Sequence, residues 1–190
     1  MGQLNLGRLN SIADRLDVDA TSYTTLIETG TCTAETTINV APYFSDVRTI
    51  EISPNYFQQA KINIANSGYT HIKQYLGDSI DVLPKLLESI DAPAVFWLDG
   101  HWMGGGPDSQ GKKDCPLLEE CKSIDNIYKP DEAILLIDDH RLFGTYKKED
   151  WNDVTEDNIL ACFENFEVTT HYVIGEYPDD IWVLNIKRNN

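Results

Sequence analysis

Two short, uninterrupted apolar segments constrain the fold of this chain more than any other feature. Residues 94–98 and 133–137 consist only of apolar residues, and each run ends at an acid, Asp99 in the first case and Asp138 in the second. A strand that is apolar on both faces is typical of the centre of a parallel sheet covered by helices on both sides. Because parallel strands need crossover connections, we expect helices between them.

The rest of the sequence supplies such an alternation. An amphipathic helical spacing over residues 4–16 precedes the first strand. The predicted strands are 23–28, 47–52, 71–76, 94–98, 133–137, 167–174 and 181–186. The predicted helices are 34–43, 55–66, 80–90, 116–128 and 156–165. Five strand–helix units followed by a hairpin predict an open, doubly wound α/β sheet.

Composition argues against several classes of partner and location. The chain has 190 residues, with 15 Lys and Arg against 31 Asp and Glu, and a net charge of −16. Such a surface repels phosphate backbones and anionic lipids, so we expect neither a nucleic acid nor a membrane as partner. No leader peptide and no apolar run of roughly 20 residues is visible. The four cysteines form no C-x-x-C pair, which predicts free thiols and a cytoplasmic location.

Polar and glycine residues collect where five of the predicted strands end. These ends are Glu28-Thr29-Gly30-Thr31, Glu51-Ile52-Ser53, Gly77-Asp78-Ser79, Asp99-Gly100-His101 and Asp138-Asp139-His140. In a doubly wound sheet, ligands bind at the carboxyl ends of the strands. Five such ends in register therefore predict a binding site along this edge rather than solvation alone.

The first three ends suggest a nucleotide-like ligand. At Gly30 a small-residue turn lets a ligand approach the backbone, although a strict G-x-G-x-x-G is missing and an ordinary turn is the alternative. Glu51 lies 23 residues after Glu28, an offset typical of an acid that accepts hydrogen bonds from two ribose hydroxyls. Asp78 and Ser79 either meet an adenine amino group or cap the next helix.

The last two ends bring three carboxylates, those of Asp99, Asp138 and Asp139, to one edge of the sheet. Like charges at buried strand ends need a neutralising partner. Oxygen ligands favour Mg²⁺, Mn²⁺ or Ca²⁺ over Zn²⁺. The alternative is that these acids cap helices and form salt bridges to Arg141 and Lys112.

With these residues the chain resembles the class I S-adenosylmethionine-dependent methyltransferases over about residues 23–186. The acid before the glycine turn, at Glu28 to Gly30, is similar to the first motif of that family. The resemblance implies a Rossmann-like, mostly parallel seven-stranded sheet of order 3-2-1-4-5-7-6 with an antiparallel C-terminal hairpin. Residues 1–190 are then a single methyltransferase domain, with residues 1–20 as an N-terminal helical appendage.

The resemblance also implies a role for each strand end. The first turn would hold the methionine part of S-adenosylmethionine (SAM), Glu51 would hold the ribose, and Asp78 would lie near the adenine. The implied cofactor-binding residues are Glu28, Thr29, Gly30, Thr31, Thr36, Glu51, Ile52, Asp78, Ser79 and Asp99.

Asp-Gly-x after the fourth strand and Asp-Asp after the fifth resemble the metal-dependent sugar O-methyltransferases of macrolide and aminocoumarin biosynthesis. That resemblance implies Mg²⁺, or Mn²⁺ or Ca²⁺, on Asp99, Asp138 and Asp139, with a general base two residues after the first Asp. Here that residue is His101, where the family usually has Asp, and we expect its imidazole to be neutral beside a bound cation. A packed structural histidine is the alternative.

The glycine-rich loop over residues 100–115 predicts a mobile, lid-like segment beside the carboxylates. It carries Gly104-Gly105-Gly106 and then Lys112-Lys113, which suggest an acceptor with an anionic group. A solvated flexible loop is the alternative.

Together these features predict a SAM-dependent O-methyltransferase that acts on a sugar or another small hydroxylated molecule with the help of a divalent metal. The sequence leaves room for a homo-oligomer. Three alternatives stay open: a metal-independent small-molecule methyltransferase, a nicotinamide-dependent oxidoreductase, and a non-catalytic metabolite-binding module.

Overall fold

A computed structural model describes residues 4–102, 104, 109–145, 149–175 and 180–190. The strands are β1 (Thr25–Thr29), β2 (Asp46–Glu51), β3 (Ile72–Leu76), β4 (Ala94–Leu98), β5 (Glu132–Asp138), β6 (Phe166–Ile174) and β7 (Ile181–Arg188). The helices are α1 (Leu6–Leu16), α2 (Glu35–Val40), α3 (Pro54–Ser67), α4 (Ser79–Leu87), α5 (Leu117–Ile127) and α6 (Glu156–Leu160). Within these ranges no helix is both long and apolar enough to cross a membrane.

All seven strands form one sheet of order β3-β2-β1-β4-β5-β7-β6. The pairs β1–β2, β1–β4, β2–β3 and β4–β5 are parallel. Strand β7 lies between β5 and β6 and is antiparallel to both. The predicted Rossmann-like sheet and its strand order are therefore confirmed. Every residue of β4 is buried, as expected for a central strand covered on both faces.

Two apolar layers cover the two faces of the sheet. Neighbouring residues along a strand point to opposite faces. Phe96 accordingly packs with Leu83 of α4 in one cluster, and Trp97 packs with Ile12 of α1 in the other. Helix α1 thus contributes to the core, and residues 1–3 of the predicted appendage lie outside the described residues. The four cysteines are free thiols, as predicted.

Helices α2 and α6 are among the helices that are shorter than the sequence predicts. The helix predicted over residues 34–43 is α2 followed by a 3₁₀ turn at Ala41–Tyr43. Helix α6 ends at Leu160, and the chain turns into β6 at Asn165. The Asn165 backbone N–H donates to Asp125 Oδ1 of α5 at 2.8 Å, which fixes this turn.

Candidate functional site

The carboxyl ends of five strands border one cavity of about 360 Å³. Such a volume suits a small-molecule ligand. Its walls include a polar or glycine residue from each end, namely Gly30, Glu51, Asp78, Asp99 and Asp138. The structure therefore brings together the five strand ends that the sequence singled out.

Not every predicted cofactor residue reaches this cavity. Gly30, Glu51, Ile52, Asp78, Ser79 and Asp99 line it. The other four, Glu28, Thr29, Thr31 and Thr36, are not among the residues that line it. A direct contact with a ligand in the cavity is therefore not expected for these four.

Glu28 has a structural role in this arrangement. Its carboxylate is buried and accepts hydrogen bonds from the hydroxyls of Thr37, on α2, and Thr49, on β2. Burial raises the pKa of Glu28 to about 7. The side chain thus ties β1 to β2 and α2, and much of its population is protonated near neutral pH.

We expect Glu28→Gln to stabilise the protein at alkaline pH. The folded state raises the pKa of Glu28 from 4.5 to about 7, so it binds the proton more tightly than the unfolded chain. Wild-type stability therefore falls as pH rises through that window, by about 3 kcal/mol in total for this group. Because Gln cannot ionise, the variant should gain up to this amount at about pH 8 and nothing near pH 4.

Urea denaturation at several pH values measures this difference. Glu35→Gln, which changes an exposed carboxylate on α2, is the matched control and should show no comparable trend. A Glu28→Gln variant that is less stable than wild type at about pH 8 would contradict the buried, raised-pKa state of this side chain.

The turn after β1 is held in an unusual backbone conformation. Gly30 has φ +86°, and a Cβ at this position would lie 2.1 Å from the Asp99 carbonyl oxygen. Cys32 and Ala34 also have positive φ values, 48° and 64°. Non-glycine residues in this region cost about 1–2 kcal/mol each. The turn therefore adopts left-handed conformations at positions where the sequence supplies no glycine.

Glu51 connects this turn to the start of α3. Its Oε2 accepts from the Cys32 backbone N–H at 2.7 Å, and its Oε1 accepts from the Ser53 N–H at 2.8 Å. Burial raises the pKa of Glu51. Each carboxylate oxygen has two lone pairs, so both oxygens can still accept a hydrogen bond from a ligand in the cavity.

Asp78 caps α4 and also holds the loop that borders the cavity. Its Oδ1 accepts from the Ile80 N–H, and its Oδ2 accepts from the Lys112 backbone N–H, both at 2.9 Å. A Cβ on Gly111 would lie 2.8 Å from the same Oδ2, so the loop packs closely here. Gly105 and Gly106 of the predicted lid lie outside the described residues, and mobility of the loop stays a prediction.

At the other end of the cavity, His101 and Arg141 hold Asp139. The His101 Nε2 atom lies 3.0 Å from Asp139 Oδ2, and Arg141 Nη1 lies 2.6 Å from Asp139 Oδ1. The second ring nitrogen of His101, Nδ1, lies 3.0 Å from Glu149 Oε2. Arg141 Nη1 also lies 2.8 Å from Asp180 Oδ1. His101 thus lies between the carboxylates of Asp139 and Glu149, and Arg141 lies between those of Asp139 and Asp180.

The contacts of His101 do not favour the neutral imidazole that a general base requires. Burial lowers the pKa of His101, but hydrogen bonds to Asp139 and Glu149 outweigh burial and raise the pKa to about 10. A neutral imidazole has only one N–H donor, whereas both ring nitrogens face carboxylates here. This geometry favours the cationic form of His101, in which neither nitrogen has a lone pair available for a proton.

The predicted metal site on Asp99, Asp138 and Asp139 does not fit this arrangement either. Among the described residues, no three His, Cys, Asp or Glu side chains are arranged to hold a metal ion. Both oxygens of Asp139 are engaged by N–H donors. Mg²⁺, Mn²⁺ or Ca²⁺ bound to Asp139 would lie beside the imidazole of His101 and the guanidinium of Arg141, which disfavour a nearby positive charge.

Asp138 and Trp102 line the cavity, and each has a buried polar atom without a hydrogen-bond partner among the described residues, namely Asp138 Oδ1 and Trp102 Nε1. Burial and the Asp139 charge raise the pKa of Asp138 to about 7. Burial and the Asp138 charge raise the pKa of Asp99 well above its ordinary value. Two residues of the cavity lining thus each carry a buried polar atom without a partner among the described residues.

Glu149 is the site residue that the sequence could not reveal. It lies 48 positions after its partner His101, in a charged stretch that has no motif. The one local indication is Trp151, an aromatic residue in a polar loop, whose indole N–H donates to Glu149 Oε2 at 2.9 Å. Arg141, which the sequence suggested only as a salt-bridge partner, also lines the cavity.

No protein-family model matches the chain, and no curated protein sequence matches it. Solved structures do share its fold. The O-methyltransferase TomG from Streptomyces achromogenes, involved in tomaymycin synthesis and solved in complex with SAM, has a TM-score of 0.64 at 17% identity, over 96% of this chain and 78% of that chain. The N-methyltransferase NodS from Bradyrhizobium japonicum WM9, in complex with S-adenosylhomocysteine (SAH), has a TM-score of 0.62 at 12% identity, over 97% and 87%.

The B. subtilis tRNA methyltransferase TrmK has a TM-score of 0.60 at 16% identity, over 100% of this chain and 68% of that chain. These proteins act on different kinds of acceptor, according to their names, yet share one fold. At such identities the similarity shows the fold alone: the chain has the fold of SAM-dependent methyltransferases.

Proposed function

We propose that this chain is a SAM-dependent methyltransferase that methylates a hydroxyl group of a small molecule, with sugars as one class of acceptor. The observation that carries the proposal is the convergence of five polar strand ends around one cavity, on a fold shared with methyltransferases solved with SAM or SAH.

The strand order, with β7 between β5 and β6, differs from that of the dinucleotide-binding Rossmann sheet. This difference favours a methyltransferase over a nicotinamide-dependent oxidoreductase.

The residues at the first three strand ends suit SAM. Gly30 has no side chain and so lets a ligand lie against the turn, and Glu51 keeps lone pairs for two ribose hydroxyls. SAM supplies a methyl group on a sulfonium centre, already activated for transfer. The protein must then mainly position the acceptor oxygen and remove its proton.

Asp138 lies where it could remove the proton of the acceptor hydroxyl. Its Oδ1 has no hydrogen-bond partner among the described residues and is buried at the cavity wall. An unsatisfied buried acceptor costs about 1–3 kcal/mol, and the hydroxyl of an acceptor would satisfy it. A carboxylate whose pKa is raised to about 7 can accept a proton near neutral pH. We assign the general base to Asp138 and a positioning role to His101.

Two observations support a small acceptor. The cavity of about 360 Å³ has the volume of a metabolite site. The net charge of −16 opposes close approach of a polyanion such as RNA. These features favour a small hydroxylated molecule even though one protein of the same fold modifies tRNA.

Isothermal titration with SAH tests the proposed cofactor site. Glu51→Gln keeps the shape of the side chain but removes its charge, so we expect it to weaken SAH binding by about 1.5–3 kcal/mol. Asp46→Asn is the matched control, because Asp46 lies at the opposite end of β2, where it binds Arg48 and Lys73. Equal affinities of wild type and Glu51→Gln for SAH would contradict the proposed ribose contact.

A further inference from the structure

We infer that two basic side chains, His101 and Arg141, act as the fixed cations of this site and exclude a divalent metal ion from the acidic strand ends. The inference concerns the same cavity as the proposed function but requires no methyl donor. Arg141 and Glu149, which are not among the predicted metal ligands, help to build the site: Arg141 binds Asp139, and Glu149 binds His101.

Both oxygens of Asp139 already face a basic side chain. Arg141 Nη1 lies 2.6 Å from Oδ1 and His101 Nε2 lies 3.0 Å from Oδ2. A carboxylate oxygen binds Mg²⁺ or Ca²⁺ at about 2.0–2.6 Å through its lone pairs. Each Asp139 oxygen keeps a second lone pair, but a cation bound through it would lie beside an N–H group whose hydrogen atom carries positive charge.

Each basic group is in turn held by a second carboxylate. His101 Nδ1 lies 3.0 Å from Glu149 Oε2, and the ring of His101 packs edge-on against Trp151 at 5.0 Å between centroids. The Arg141 backbone N–H donates to Asp180 Oδ2 at 2.5 Å, and its Nη1 donates to Asp180 Oδ1 at 2.8 Å. Glu149 therefore fixes the orientation of the His101 ring, and Asp180 fixes that of the Arg141 side chain. We expect such additional contacts for side chains that belong to the built structure of the site.

Asp139 also has an unusual backbone conformation. This residue has φ +58°, a left-handed conformation that aspartate adopts more readily than most residues. In this conformation its carboxylate contacts both His101 and Arg141. The cavity then recognises its ligand through hydrogen bonds and fixed charges rather than by chelation to a metal.

Titration with Mn²⁺, followed by electron paramagnetic resonance of the free ion, tests this inference. Wild-type protein should leave the Mn²⁺ signal unchanged. In the double variant His101→Leu/Arg141→Met both N–H donors are lost and no new metal ligand is added, so we expect Mn²⁺ binding that EDTA reverses. The melting temperature of the double variant should rise with added Mn²⁺, because a ligand that binds only the folded state stabilises it.

A further variant tests whether Mn²⁺ binds at Asp139, and two results would overturn the inference. Asp139→Asn in the double-variant background should abolish Mn²⁺ binding. Saturable Mn²⁺ binding by the wild type that Asp139→Asn removes would overturn the inference. A folded double variant that binds no Mn²⁺ would also overturn it, since the two side chains would then not be what excludes the metal.

If the double variant does not fold, Arg141→Met alone replaces it, with the same expected gain of binding and the same contrary result. None of these measurements involves SAM or an acceptor. Their outcome is therefore independent of whether the protein transfers a methyl group.

Discussion

Asp138→Asn is expected to lower the turnover of methyl transfer by about 10²–10⁴-fold, the typical contribution of a general base. The amide keeps the shape of the side chain but cannot take the proton of the acceptor hydroxyl. Affinity for SAH should stay near that of the wild type, because the proposed cofactor contacts lie at other strand ends. The measurement is SAH release in the presence of an acceptor identified by screening hydroxylated metabolites with wild-type protein.

The pH dependence of turnover supplies a second test of the same residue. A base acts only when deprotonated, and the pKa of Asp138 is raised to about 7. Wild-type turnover should therefore increase as pH rises through about 7 and level off above it. Asp125→Asn is the matched control, because Asp125 is another buried aspartate that binds Asn165 and does not line the cavity. Unchanged turnover in Asp138→Asn would place the proton transfer elsewhere.

Gly30→Ala is expected to destabilise the protein by about 2–5 kcal/mol, the sum of a left-handed backbone penalty and a packing conflict. The backbone φ is +86°, and the new Cβ would lie 2.1 Å from the Asp99 carbonyl oxygen. Relief of this contact must move either the β1 turn or the end of β4. Because both lie at the cavity wall, SAH affinity should fall as well.

Gly68→Ala is the control that separates the backbone penalty from the packing conflict. Gly68 ends α3 with φ +78°, and a Cβ there meets nothing within 4 Å. That variant should lose only the conformational part, about 1–2 kcal/mol. Urea denaturation of the two variants measures the difference, and equal losses of stability would contradict the close approach of Gly30 to Asp99.

The sheet could be predicted because its central strands carry a simple pattern. A run such as residues 133–137 is apolar throughout, and only a strand buried on both faces explains such a run next to helices of ordinary amphipathicity. The polar residues after each strand could likewise be placed at one edge, since parallel strands end together. The position of the cavity follows from these two features, whereas the strand order was implied by the resemblance to the methyltransferase family.

Side-chain partners were harder to predict because they depend on direction and on distant segments. The sequence places Glu28 at a strand end but does not show that its carboxylate faces α2, where Thr37 binds it. His101 was predicted to be neutral, and only the fold reveals Glu149 on the far side of its ring. A protonation state is set by every charge around a group, so no local motif could supply it.

A crystal structure of the protein with SAH tests most directly whether the strand-end cavity is a methyl-donor site. We predict SAH in that cavity, with its ribose hydroxyls within hydrogen-bonding distance of Glu51 and its amino-acid part against the turn at Gly30. A cavity that stays free of SAH at saturating concentration, while NAD⁺ fills it under the same conditions, would contradict the proposed function.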